Sequence, residues 1–367
     1  MRKLLRAKHS TERQGAIIVL VAVMMLILAA SVAFAVDYSF LLKMRTDMQH
    51  AANASALAAV QTLAPSALGI QDVEATKVTL REYVQANLTL GDGFSIADAD
   101  IEIGRYDPDL IYSVVSLRDD GIFDAVRVTL RRDGIVNPRV PLHFARVLGV
   151  SDSTLVVTAT AVLQKPNALP PGAAVLPVGI PQELWESAEI GDRIYGYGDG
   201  KVEDEHGNEI PGNWGTVDIG DENNSTSDLG DQIENGLMQD DLDELHGDGR
   251  IDQDAHIDAT EEIWLQADPG LSTGMKSAIK AIHGEERVVP IYGSLGGGTN
   301  NGGNNLEYGI VGWGVVTVVD SNWKGAKNTW IELQRSYMYS GNLTAQPNSL
   351  GDPPAIEGAY GAPVLVE

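Results

Sequence analysis

The chain has no cysteine. Disulfides, Cys-ligated zinc and a thiol nucleophile are therefore excluded. Positive charge is scarce: 26 Lys and Arg stand against 51 Asp and Glu, a formal net charge of −25 over 367 residues. An acidic chain repels phosphate backbones, which argues against nucleic-acid binding. No His-Glu-x-x-His occurs, so a zinc hydrolase is not indicated. Long apolar runs are absent except for one.

That one run is Ala16 to Val36, 21 uncharged residues with a single hydroxyl, Ser31. An α-helix rises about 1.5 Å per residue, so the run covers about 30 Å, the hydrocarbon thickness of a bilayer. In lipid the backbone must satisfy its own hydrogen bonds, and a single span is therefore a helix. Arg2, Lys3, Arg6, Lys8 and Arg13 precede it, and residues 1–14 carry a net +4 while the rest carries −29. Basic residues beside a first span stay in the cytoplasm. The expected topology is a short cytoplasmic tail, a span bounded by Ala16 and Val36, and more than 300 residues outside.

A cleaved signal peptide is the competing reading, because Ala33-Phe34-Ala35 has the A-x-A form and Ala35 is a possible processing point. The run exceeds the roughly 7–15 residues of a usual signal core, and helical sequence continues through the site. Residues 37–64 contain no Gly or Pro, which predicts that the helix runs on as an Ala-rich stalk until Pro65. Met44, Met48, Ala51, Ser55, Ala58 and Thr62 form a stripe of mostly small residues on it. Such a stripe admits another helix at close range. The same periodicity fits a helix packed on its own domain.

Beyond the stalk, the pattern of Val73, Val78, Leu80, Tyr83, Val84 and Leu88 predicts a helix within residues 66–90. Ile101–Ile103, Leu110–Leu117, Ala125–Arg131 and Leu155–Leu163 read as strands. Pro141–Val150 reads as a short helix. Pro166, Pro170 and Pro171 stiffen a linker at residues 165–172. From residue 173 glycine is frequent and turn signals recur, which predicts a β-rich acidic domain with long loops. Its clearest strands are Glu286–Tyr292 and Tyr308–Asp320, and helices are expected over Asp228–Leu245 and Thr273–Ile282. Gly293–Gly303 lacks the Gly-Lys-Ser/Thr of a phosphate loop and reads as a hairpin tip. The expected fold is α+β: transmembrane helix, stalk helix at 37–64, a small α+β domain at 65–164, the linker, and the β-rich domain at 173–367.

Three segments carry a resemblance to a known family. They are Arg13-Gln14-Gly15-Ala16, Ala35-Val36-Asp37-Tyr38 and Met48-Gln49-His50-Ala51-Ala52-Asn53-Ala54-Ser55-Ala56-Leu57-Ala58-Ala59. Together with the apolar run they resemble the N-terminal part of TadE/TadG-like Flp (tight adherence) pilus-assembly proteins. Asn53 replaces the family's usual Asp, and Ser55 its usual Ala. Weaker similarities over Phe123–Leu163 and in the C-terminal half place the chain nearest the TadG type. The resemblance implies a non-enzymatic, single-pass component of the bacterial inner membrane, acting in pilus assembly, anchoring or adhesion. Its implied partners are other pilus-machinery proteins, met through the N-terminal helix. It also raises processing at Gly15, since prepilin peptidases cut after such a glycine, typically with Glu five residues beyond the cut. Leu20 stands at that position, which argues against cleavage and against incorporation into a filament shaft.

The densest acidic segment, Asp240–Glu262, contains Asp248-Gly249-x-Ile251-Asp252, the middle of an EF-hand-like loop. Glu244, Asp248 and Asp252 are the candidate Ca²⁺ ligands. Position 12 of such a loop falls on Ala255, so the bidentate Glu is missing. A solvated acidic loop is the plainer reading. The alternative function is a membrane-tethered, Ca²⁺-dependent adhesive protein unrelated to pili.

Overall fold

The computed structural model describes residues 10–88, 93–106, 121–203, 214–220, 225–252, 256–297, 306–325, 328–343 and 356–366. One continuous helix, α1 (Ser10–Thr62), joins span and stalk over 53 residues. At 1.5 Å per residue it is about 80 Å long. Leu63 closes the last turn, and Pro65 prevents its extension. The second helix, α2 (Val73–Asn87), starts at Asp72, whose carboxylate accepts the Ala75 N–H at 2.8 Å. This is an ordinary N-cap. Leu80 and Val84 of α2 are buried.

The stalk half of α1 lies on a four-stranded antiparallel sheet. Strand β1 (Ile101–Gly104) pairs with β2 (Ala125–Arg132), β2 with Leu155–Leu163, and that strand with Pro363–Val366. Ala51, Ala52, Ala56 and Ala59 are fully buried between α1 and its neighbours. Their small side chains let the helix backbone approach the sheet and α2 closely. The expected strands at Ala125–Arg131 and Leu155–Leu163 are present. Leu110–Leu117 lies outside the described residues.

The last strand crosses back from the C-terminal half. Val364 pairs with Val162, Tyr360 packs in the first core, and Gln61 Nε2 donates to Tyr339 Oη. The proline-rich segment at 165–172 therefore marks a change of sheet, while the chain ends tie both regions together. Local sequence carries no signal for such a distant pairing.

The C-terminal region is built on a nine-stranded sheet. Ile263–Pro269, Gly215–Val217, Val178–Pro181, Glu286–Gly297 and Leu306–Trp323 follow one another. The first of these pairs again with the last, so the five close into a ring. Thr329–Arg335, Arg193–Tyr197 and Val202–Glu203 continue outward, and Ile356–Glu357 pairs with Leu306–Trp323 as the ninth strand. Side chains alternate across a strand, and each face has its own core. Val288 and Val315 serve one, and Val289 and Val316 serve the other. The long hairpin pairs Gly297 with Leu306 around the Gly-rich stretch, whose tip lies outside the described residues.

Two helix expectations need correction. Asp228–Leu245 is two helices, Thr226–Asn235 and Gln239–Gly247. Gly236 separates them with φ of +78°, a conformation that side chains disfavour. A Cβ there would also meet the Ala173 carbonyl oxygen at 2.6 Å. Pro141–Val150 forms only a 3₁₀ turn, Ala145–Leu148, closed by Gly149 at φ of +88°.

Candidate functional site: the junction of the apolar run with the folded domain

Residues 17–36 are exposed along α1, apart from the half-buried Ala33. Ile18, Met25, Leu26 and Phe34 are among its bare apolar side chains. The single hydroxyl is already satisfied, because Ser31 Oγ donates to the Ile27 carbonyl at 2.9 Å. Among the described residues nothing covers the run, which asks nothing of water. At its C-terminal edge Phe34 and Tyr38 stack with ring centroids 6.0 Å apart. Aromatic side chains of this kind suit a membrane–water boundary.

Burial begins at once with Asp37, 5% exposed. Its Oδ1 accepts the His143 N–H at 2.9 Å, and its Oδ2 accepts those of Phe144 at 2.9 Å and Ala145 at 2.7 Å. These are the free N–H groups at the start of the 3₁₀ turn, so a residue of α1 caps an element more than 100 positions away. Burial works to raise the Asp37 pKa. The N–H donors of Ala145, His143 and Phe144 outweigh it and hold the carboxyl below its ordinary range. Phe40 adds an edge contact to the His143 ring at 5.5 Å. The segment 142–150 is thus pinned to the first turn of α1 beyond the apolar run. Sequence reasoning noted Asp37 but missed this role, because one carboxylate after an apolar run does not say which N–H groups it meets.

Farther along, Gln49 Nε2 donates to Asn53 Oδ1 at 2.9 Å and to the Thr158 carbonyl at 3.0 Å. Asn53, the departure from the family pattern, therefore helps hold the helix to the sheet. At the far end Gln71 Nε2 donates to the carbonyls of Leu63 and Phe123, both at 2.7 Å, and Gln71 Oε1 accepts the Phe123 N–H. The helix is stapled at base, middle and top.

The small-residue stripe turns inward. Met44, Met48, Ala51 and Ser55 are buried in the chain's own core, and Ser55 Oγ donates to the Ala52 carbonyl. Ala58 is half-buried, and Thr62 Oγ1 lies 3.5 Å from Thr79 Oγ1 of α2. The stripe packs on α2 and the sheet, and Met44, Met48, Ala51 and Ser55 are covered by the chain itself, while Thr62 stays exposed. Gly15 and Ala35 both lie within the unbroken helix.

The proposed cation ligands are not gathered as an EF-hand loop. Glu244 is helical, and Asp248 caps that helix, its N–H donating to the Glu244 carbonyl at 2.9 Å. Asp252 lies beyond the cap, beside a cleft lined also by His256, Asp258 and Glu262. Among the described residues no group of three or more His, Asp or Glu side chains is placed to hold a metal ion. Ser-x-x-Lys spacing occurs at Ser277–Lys280 and Ser321–Lys324. Ser277 and Lys280 are exposed, while Ser321 Oγ is engaged by His283 and Trp323.

Comparison with known families agrees with the N-terminal half. Residues 15–62 match the model described as Flp pilus-assembly TadE/G-like. Residues 47–161 match the model described as Tad-like Flp pilus-assembly. The matched stretch runs from the start of the apolar helix almost to the end of the Leu155–Leu163 strand. The matches do not separate a TadG type from a TadE type. No curated protein and no solved structure matches the chain.

Proposed function

We propose, from the premise that residues 15–161 are Tad-type pilus-assembly sequence, that the protein is a non-enzymatic component of a tight-adherence pilus machine. Ala16–Val36 holds it in the bacterial inner membrane, with the basic tail cytoplasmic and the acidic bulk outside. One observation carries the reading. The matched stretch holds the long helix, α2 and three of the four strands of the first sheet: an exposed apolar helix passes without a break into a domain that Asp37, Gln49 and Gln71 lock onto it. Such a unit transmits position and force from the membrane to the domain above.

The inward turn of the stripe moves partner contact elsewhere. Other pilus-machinery proteins meet the exposed span and the outer face of the stalk, where Leu42, Lys43 and Arg45 are uncovered. The span stays uncut, because Leu20 stands where a pilin has Glu and Ala35 is helical. N-terminal sequencing of the membrane-bound protein checks this, and a start at Ala16 or Val36 would contradict it. Deleting the gene and counting pili and attached cells tests the role itself. Loss of both, restored by the intact gene, supports it; unchanged pili and attachment would overturn it.

A further inference from the structure

The segment that Asp37 pins is oddly apolar for a surface. Val147 is 88% exposed and Leu148 is 86% exposed, and Phe144 and Val150 are uncovered beside them. Ile135, in the loop after β2, is 86% exposed. Single exposed apolar residues are common, but a concentration within 16 positions is not. Residues 138–150 contain Arg139 and Arg146; Arg139 pairs with Asp152 at 3.5 Å, and Asp133 stands beside Ile135.

Their height above the span follows from the staples. The Ala145 N–H lies 2.7 Å from Asp37 Oδ2. A 3₁₀ helix rises about 2 Å per residue, so Val147 and Leu148 lie within about 6 Å of Ala145 along it. Interfacial layers add about 5–7 Å on each side of the hydrocarbon core. With Val36 at the hydrocarbon edge, these side chains fall at interfacial depth. The loop carrying Ile135 is at the same end. Gln49 meets Thr158 midway along the stalk, and Gln71 meets Phe123 at the top. Arg132 pairs with Leu155, so β2 runs down toward the membrane before turning.

We infer that Phe144, Val147, Leu148 and Ile135 form a second membrane contact, seating the domain on an anionic bilayer surface beside its own anchor. The inference rests on the anchor reading above. The occupant is lipid because the surface is apolar and continuous with the span, with Arg146 exposed among its apolar side chains. Apolar side chains enter the headgroup layer, and Arg146 faces anionic headgroups. One helix alone would leave the domain free to swivel. Two contacts fix its tilt.

The absence of native cysteine makes the test clean. Full-length protein carrying one cysteine is labelled with an environment-sensitive fluorophore and reconstituted into phosphatidylethanolamine–phosphatidylglycerol vesicles containing shallow spin-labelled lipid. Leu28→Cys reports the span, Val147→Cys and Leu148→Cys the loop, and Ile70→Cys the exposed far end of the stalk. Labels at Leu28, Val147 and Leu148 should be quenched several-fold more than the label at Ile70. A quenched Leu28 label with loop labels as bright as Ile70 overturns the second contact and leaves the anchor standing. An unquenched Leu28 label removes the anchor and this inference together. Loop labels shielded from aqueous iodide yet not quenched by lipid mean that protein covers the loop, which also overturns it.

Discussion

The two regions use small residues in opposite ways. In the N-terminal region they sit on a helix, and Ala51, Ala52, Ala56 and Ala59 let α1 sink onto its sheet. In the C-terminal region they sit on strands, and large aromatics lie over them. A Cβ on Gly196 would meet the Trp214 ring at 2.0 Å, and one on Gly314 would meet Trp185 at 2.2 Å. The first arrangement makes a rigid post of one long helix. The second makes a broad, aromatic-filled sheet whose stability depends on bare backbone at a few points. The comparison teaches where change is tolerated. Pilus-family sequence is matched on the post, while the sheet must keep its glycines for reasons of volume alone.

Substitutions can separate the two designs. The largest effect is expected at Gly196→Val, which forces the fully buried Trp214 out of place. Overpacking costs typically 1–3 kcal/mol and sometimes more, and this site should lose about 3 kcal/mol or more in chemical denaturation. A loss under about 1 kcal/mol would mean that the indole is not seated there. Leu80→Ala, in the N-terminal core, should cost about 2–5 kcal/mol through lost burial and a cavity. Ala56→Leu should cost about 1–3 kcal/mol by lifting α1 from its sheet, whereas the same change at an exposed stalk position, Thr46→Leu, should be near neutral. Equal effects at both positions would dissolve the contrast between the faces of the post.

A smaller effect, with a pH signature, separates two carboxylates. Asp37 has a folded-state pKa below its ordinary value of 3.8. Its contribution is full above the unfolded pKa and fades as pH falls through the lower folded value. Asp37→Asn should therefore lower the melting temperature at neutral pH by a margin that closes in acid. Asp241 behaves in the opposite sense. Burial raises its pKa against the Met238 N–H and Gln232 bonds that lower it. Its ionised form is disfavoured in the fold, so its penalty appears as pH rises through the unfolded and then the folded value. Asp241→Asn should lose least, or gain, at neutral pH. Melting curves of both variants across pH check the signs, and parallel profiles would refute this account of the two sites.

Much of the post was legible in the sequence. Composition and length gave the apolar segment of α1, the lack of breakers gave its unbroken continuation, and the alternation of apolar and basic residues gave β2. The direction in which the stripe faces was not legible, because Met48, Ala51 and Ser55 repeat in the same way whether they meet their own sheet or another protein. The break at Gly236 carried a local signal, a glycine inside an expected helix, that could have been read as a cap. The return of Pro363–Val366 to the first sheet, and the capping of Ala145 by Asp37, join residues more than 100 positions apart. No local pattern encodes such contacts. The spacing around Gly249 suits a loop, but Leu242 and Leu245 are buried and draw Glu244 into a helix, away from the turn that carries Asp248 and Asp252.

The central claim is that Ala16–Val36 crosses the membrane and carries the domain outside. Single cysteines settle it in spheroplasts of the native host. An impermeant maleimide should label Ile70→Cys in intact spheroplasts and should reach Lys8→Cys only after lysis. Labelling of Lys8→Cys before lysis, or release of the Ile70→Cys protein into the soluble fraction, would contradict the account.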